Sequence, residues 1–473
     1  MLRSVLSRRL AVPLVLILCC QLAIPGSGWG FFGSLTIEKE KDLGEEFCLL
    51  LQQYFPLVRD PYLNAYINAV GQKLVQQLGP QPFQYRFFIL EDPSLNAFAV
   101  PGGYIFVNTG IIRLMDREDE LAGVLAHEIT HVHQRHMAKR MEKAKFTTLS
   151  TLLGALAAVL LGGTLAAPII MGAAAGAETA MLAYSREDEK EADTLGFKWV
   201  TMAQYDPHYM MTVFRKMNRQ RWFEPGNIPV YLKTHPELES RIVDLAHLME
   251  SHQIPPRPTA SPPTPAFVFF KQRLEALYGN PHRLKRELLI RLSQEPDNVP
   301  LRYCLALVYK RLGDRPAAAQ AYQEALAKDP HNDLIKRDLA IFYYEANRTT
   351  EADKLFRELL ARHPRDEVSL YYLGLILQDR RQLDEALAIF EKLHAMNPGF
   401  IEVYYTLGTL YGQKQRLGLA HYYLGRYCRL AKDLPTALFH FRKALENLTP
   451  GDRMYSEASM EVARLERLKV RTK

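Results

Sequence analysis

The chain has 473 residues, 48% hydrophobic and 23% charged, which is the make-up of a folded protein too long for one ordinary domain. Its net charge of +7 comes partly from Arg3, Arg8 and Arg9, and no lysine- or arginine-rich block follows, which argues against nucleic acid as a partner. Five cysteines do not make a disulfide framework: Cys19 and Cys20 fall in one apolar run, and Cys48, Cys304 and Cys428 are scattered and read as buried apolar side chains.

Residues 1–30 read as an export signal. Arg8 and Arg9 precede LAVPLVLILCCQLAI, which is short for a membrane span, and the small residues of PGSGWG offer cleavage after Gly28 or Gly30. The competing reading is an uncleaved N-terminal anchor. Leu18 is a bulky neighbour for a lipid-modified Cys19. Export to the periplasm is the expectation.

Helical patterns follow at 38–55 and 61–78, then a strand-like YRFFIL. The segment NAFAVPGGYIFVNTGII alternates apolar residues around Pro101-Gly102-Gly103, as a strand entering and leaving a turn or bulge does. In the next helix, DREDELAGVLAHEITHVHQRH, Asp116 and Asp119 suit the N-terminus, and Leu121, Val124, Leu125 and Ile129 form the apolar face. His127 and His131 lie one turn apart, so both imidazoles can reach one ion, while Glu128 is rotated by about 100° and can flank a bound water. Two neutral nitrogens and a neighbouring carboxylate suit zinc hydrolysis. A wet polar helix face is the bland alternative. A metzincin layout fails, because Gln134 and Met137 stand where it needs glycine and histidine; His133 and His136 read as solvated.

Residues 146–177 contain no charged side chain. One span of about 20 residues would put His131 and whatever follows on opposite sides of a bilayer, and two spans need about 40. The run therefore reads as an apolar lid over a site, touching a membrane surface or unfolded substrate, or as a plain core hairpin. In YSREDEKEADTLGFKWV, Glu189 and Asp193 sit four apart on one helix face. Glu189 can complete a metal site and Asp193 can accept a ligand imidazole's other N–H; an acidic helix start explains the same residues equally well.

The stretch 252–265, HQIPPRPTASPPTP, holds six prolines and reads as a stiff linker between domains 31–251 and 266–473. Beyond it Pro296, Pro330, Pro364 and Pro398 recur every 34 residues, the tetratricopeptide period. Ala318, Ala352 and Ala386 keep that step, as do Tyr322, Phe356 and Phe390, and Gly374 with Gly408. A small residue lets two helices touch, an aromatic fills the seam and proline ends the pair. Gly425 and Ala437 restart the motif about half a unit early, residues 266–295 look like a degenerate first unit, and SEASMEVARLERLKV reads as a capping helix.

Four ordered stretches, NAFAVPGGYIFVNTGII, LAGVLAHEITHVHQRH, YSREDEKEAD and YLKTHPELESRI, together resemble the HtpX and CAAX-prenyl-protease family of zinc metallopeptidases. The resemblance implies an α+β zincin-like metallopeptidase domain, mostly helical with a small sheet, followed by an all-α tetratricopeptide-repeat solenoid. It implies one zinc held by His127, His131 and Glu189, with Glu128 as catalytic base and Asp193 in support. His235 would be a fourth ligand at rest or a donor to the transition state; Arg241 would stabilise an oxyanion or simply pair with nearby acids. An extended substrate would add as a strand along Asn96, Ala97, Phe98, Ala99 and Val100. The implied clients are unfolded or misassembled proteins, outer-membrane β-barrel precursors among them, with the repeats docking clients or the barrel-assembly machinery. A chaperone or assembly scaffold with a regulatory zinc site is the alternative.

Overall fold

The computed structural model describes residues 35–144, 184–223, 230–255 and 262–471. The expected signal, 1–30, and the apolar run, 146–177, lie outside them. Among the described residues no helix is long and apolar enough to cross a membrane. The chain divides into two compact units, Met1–Leu284 and Lys285–Lys473.

In the first unit, α1 (Ile37–Tyr54) starts at Thr36, whose hydroxyl accepts from Lys39 N–H. Helix α2 (Pro61–Val75) is N-capped by Asp60 and has proline in its first turn, where no N–H is needed. Strands β1 (Arg86–Leu90), β2 (Ala97–Val100) and β3 (Tyr104–Asn108) form a sheet in the order β1-β3-β2. Strand β1 runs parallel to β3, and β2 runs antiparallel to it at the sheet edge. Both faces are covered, which is why every residue of β2 and β3 is buried. On one face Phe88, Phe106 and Phe98 lie in register and stack with centroids 5.2 Å apart at each step. That face meets Leu43, Phe47 and Leu51 of α1. On the other, Phe87, Ile89, Ile105 and Val107 join the main core with α2.

The turn from β2 to β3 has the expected chemistry. Gly102 has φ +87°, and a Cβ there would lie 2.7 Å from the Glu40 carbonyl oxygen. Gly102→Ala is therefore expected to cost about 1–3 kcal/mol, read as a lower denaturation midpoint of the first unit; an unchanged midpoint would mean the turn tolerates a side chain.

Helices α3 (Thr109–Leu114), α4 (Glu118–His133), α5 (His136–Ala144), α6 (Arg186–Met202), α7 (His208–Phe223), α8 (Val230–Thr234) and α9 (Leu238–Ser251) follow. Helix α10 (Pro265–Tyr278) also belongs to the first unit, so the division falls later than the proline-rich stretch. Phe267, Phe270 and Leu274 enter its core, and Phe270 stacks on Tyr66 at 4.5 Å. An apolar stripe at helical spacing says that a helix has a partner, not which one.

The second unit is all helical. From α11 (Pro281–Gln294), which begins just before the boundary, pairs run α12–α13 (Val299–Leu312, Arg315–Lys328), α14–α15 (Asp333–Glu345, Thr349–Arg362) and α16–α17 (Glu367–Asp379, Leu383–Met396). Then come α18 (Ile401–Gln413), α19 (Leu417–Leu430), α20 (Leu434–Asn447) and α21 (Arg453–Arg471). Within a pair, glycine meets the partner's large side chain: a Cβ on Gly374 would lie 2.7 Å from the Phe390 ring. Gly408 meets Leu424 of α19, and Gly425 of α19 in turn meets Phe441 of α20. One helix thus serves two successive seams, which is the half-unit slip in the sequence.

Candidate metal centre

Helix α4 opens on Glu118, Asp119 and Glu120, acidic residues at its positive end. From Glu120 to Val132 it is buried all round. His127, Glu128 and His131 are thus core residues, and the wet-surface reading of this helix is excluded. Helix α6 starts with a capping box between Ser185 and Asp188. Glu189 and Asp193, one turn apart, are both buried behind it. Glu189 therefore belongs to the acidic helix start and also faces inward. His235, from the turn between α8 and α9, is buried too.

Four side chains converge. His127, His131, Glu189 and His235 each offer one ligand atom, all within 4.8 Å of one another. His127 Nε2 lies 3.0 Å from His131 Nε2 and 3.2 Å from His235 Nδ1. Glu189 Oε1 lies 2.9 Å from His235 Nδ1 and 3.5 Å from His131 Nε2, and Glu189 Oε2 lies 3.5 Å from His127 Nε2. Tetrahedral ligands of one zinc, each 2.0–2.1 Å from it, stand about 3.3–3.4 Å apart. The observed separations bracket that edge. Both carboxylate oxygens of Glu128 are buried, accept no hydrogen bond among the described residues, and Oε1 lies 3.6 Å from His235 Nε2. A donor set of three imidazoles and a carboxylate, beside a carboxylate free to take a proton, fits a divalent zinc-like ion.

The surroundings orient these groups. His127 Nδ1 lies 2.9 Å from Asp193 Oδ1 and donates to it when Nε2 carries the lone pair facing the cluster. Arg241 donates to both Asp193 oxygens at 2.7 Å and pairs with Glu189 Oε2 at 2.5 Å. Its guanidinium thus sits inside an ion-pair network with nearby acids, as one of the two roles expected of it has it. Tyr184 stacks on His131 at 3.7 Å and Tyr231 on His235 at 4.3 Å.

The electrostatics follow from burial and neighbours. Burial pushes the Glu128 carboxyl up, against the pull of His235 and His127. Burial, with His127 and His235 beside it, drives the His131 imidazole well down. For Glu189 and Asp193 burial also pushes up, but Arg241 outweighs it with help from the histidines; Glu189 ends below its ordinary range and Asp193 at about 2. His235 is pushed down by burial and pulled further up by Glu189 and Glu128, so it ends above its ordinary value.

Two residues expected to be solvated are not. His136 is 1% exposed, with Nδ1 2.9 Å from His131 Nδ1. His133 is half-buried, 3.0 Å from Gln81 Oε1. For His136 the cause is a helix break: Arg135 takes φ +55° after α4, held by Glu40 at 2.6 Å and by the Leu35 carbonyl, and α5 starts afresh at His136. No glycine or proline marks that break. Ala99 and Val100 of β2 line a cavity together with His131, the one cluster residue that reaches it among the described residues.

A buried His-Glu-x-x-His helix, with a glutamate supplied by a later helix and a small sheet with an edge strand, defines a zincin-like metallopeptidase domain. Residues 61–249 match Peptidase family M48, and residues 311–372 and 368–399 match the Tetratricopeptide repeat, so the chain carries an M48 domain followed by tetratricopeptide repeats. It is 33% identical over 284 residues to the beta-barrel assembly-enhancing protease of Yersinia pestis, covering 59% of this chain and 57% of that one. To the protein of the same name from Escherichia coli (strain K12) it is 32% identical over 262 residues, covering 54% and 52%. To the mitochondrial metalloendopeptidase OMA1 of Schizosaccharomyces pombe it is 26% identical over 234 residues, covering 49% and 67%. The chain spans about half the length of the bacterial relatives it matches.

Proposed function

We propose that this chain is a zinc-dependent endopeptidase of the bacterial cell envelope that degrades misfolded or stalled proteins, outer-membrane β-barrel precursors in particular. The observation that carries the reading is the convergence of His127, His131, Glu189 and His235 beside a buried Glu128 that accepts no hydrogen bond among the described residues. One zinc held there supplies Lewis-acid activation of water and of the scissile carbonyl. Glu128 takes the attacking water's proton on a carboxylate oxygen and returns it to the leaving amine; its upward-shifted carboxyl suits that exchange. Asp193 and Arg241 hold His127 and Glu189 in place. Strand β2, Ala97–Val100, is the sheet edge, and an extended substrate would add along its outer backbone groups once they are uncovered, so unfolded chains would be taken and compact ones would not.

The client class and the envelope location are drawn from the bacterial relatives' name and from the signal-like residues 1–30. The repeats would bind clients or the assembly machinery, and residues 146–177 would touch the membrane surface. A scaffold with a regulatory zinc site is the second reading. It is favoured by His235 Nδ1, which lies at the fourth corner of the cluster, where a reacting water would otherwise sit.

The test is casein cleavage by the purified full chain. Cleavage should disappear with a strong chelator and return with about one equivalent of zinc per chain. Full activity in the metal-stripped protein would end the metallopeptidase reading. Complementation of envelope defects by a non-cleaving variant would favour the scaffold.

A further inference from the structure

The two cluster histidines of α4, His127 and His131, are held in different ways. His127 leans on a carboxylate, Asp193, at 2.9 Å. His131 instead leans on another imidazole, His136 Nδ1, also at 2.9 Å, and His136 Nε2 lies 3.0 Å from Glu191 Oε2. Only one proton fits between two imidazole nitrogens, so the metal-centre reading sets the tautomers. His131 Nε2 faces His127 Nε2 and Glu189 across the cluster; a cation held there would take its lone pair, which puts its single N–H on Nδ1. His131 therefore donates to His136 Nδ1, and His136 must carry its own proton on Nε2 and donate to Glu191. The line His131, His136, Glu191 runs one way, from the buried cluster to a carboxylate whose side chain is 45% exposed.

We infer that His136, anchored by Glu191, is a positioning residue for the metal centre: it fixes the tautomer and ring plane of His131 and strengthens its Nε2 as a donor. The inference rests on the metal-centre reading above. His136 is suited to the task by its backbone. As the first residue of α5, just past the left-handed Arg135, it comes within reach of His131, whereas in a continuous helix a residue five positions on would face about 140° away. Gln134 donates to the other Glu191 oxygen and keeps that carboxylate turned towards the imidazole.

Zinc affinity of the purified full chain, measured by competition with a chromogenic chelator, tests this without any activity readout. His136→Phe keeps a ring but offers no acceptor, and should weaken zinc binding about 10–100-fold. His136→Asn offers an oxygen near the Nδ1 position and should bind within a few-fold of the unaltered protein. Glu191→Leu, on the surface and tolerant of replacement, should weaken binding several-fold. His131→Ala is the control, and should abolish tight binding. If His131→Ala loses zinc while His136→Phe and Glu191→Leu both keep full affinity, the inference is overturned and the metal centre stands. If His131→Ala keeps zinc as well, the metal-centre reading itself fails. Should His136→Phe not fold, Glu191→Leu decides alone: a weakened site upholds the positioning role, an unchanged one overturns it.

Discussion

Replacing Glu128 by glutamine should lower kcat/KM for peptide-bond cleavage by about a hundred- to ten-thousandfold and leave zinc binding intact. The amide has nearly the shape of the carboxylate, so packing at this fully buried position is kept. What it loses is the ability to take a proton from water and give it to an amine. No hydrogen bond to the Glu128 carboxylate exists among the described residues, so none is lost in the exchange. The neutral side chain also removes the desolvation cost of an ionised one. Thermal unfolding of zinc-free Glu128→Gln should therefore come no lower than that of the unaltered chain. A variant that cleaves casein at the original rate would remove Glu128 from the chemistry, and one that lost its zinc would make it a ligand.

Arg241→Leu should be the most damaging single change for stability, at about 3–5 kcal/mol in the zinc-free protein. Arg241 is 4% exposed and holds Asp193 at 2.7 Å and Glu189 at 2.5 Å. Leucine fills part of the space but leaves two buried carboxylates with no guanidinium between them. Both are held below their ordinary range by this arginine, so their ionised state depends on it. A bound divalent ion restores part of the missing positive charge, so zinc should raise the variant's melting temperature more than it raises that of the unaltered chain. Arg241→Lys keeps a charge but cannot donate in a fork to Asp193 and should fall between. If Arg241→Leu melts with the unaltered chain, the guanidinium contributes nothing net, and the ion-pair account of this residue fails.

The legible parts of the site were those that depend on helix geometry. The i, i+4 spacing of His127 and His131, and of Glu189 and Asp193, is a statement about two single helices, and both form. The turn at Gly102 was legible because positive φ is a local demand that glycine meets. His235 and Arg241 were harder. A lone histidine in a loop has many ordinary explanations, and only its distance to residues more than 40 positions away separates them. His136 was misread because the helical pattern was extended through Arg135, whose left-handed turn rests on contacts with Glu40 and Leu35 a hundred residues earlier.

From its own order of residues this chain determined a mixed domain followed by a 34-residue helical repeat, and two pairs of metal-suited side chains at one-turn spacing. Those are short-range matters, set by 3.6 residues per turn and by the backbone preferences of glycine and proline. Tertiary packing alone decided that His235 joins the cluster, that Arg241 is consumed by Asp193 and Glu189, that His136 braces His131, and that Pro265–Tyr278 packs on the first unit. Each of these depends on burial and charge pairing between segments far apart along the chain, and no periodicity within a segment encodes which distant partner it will meet.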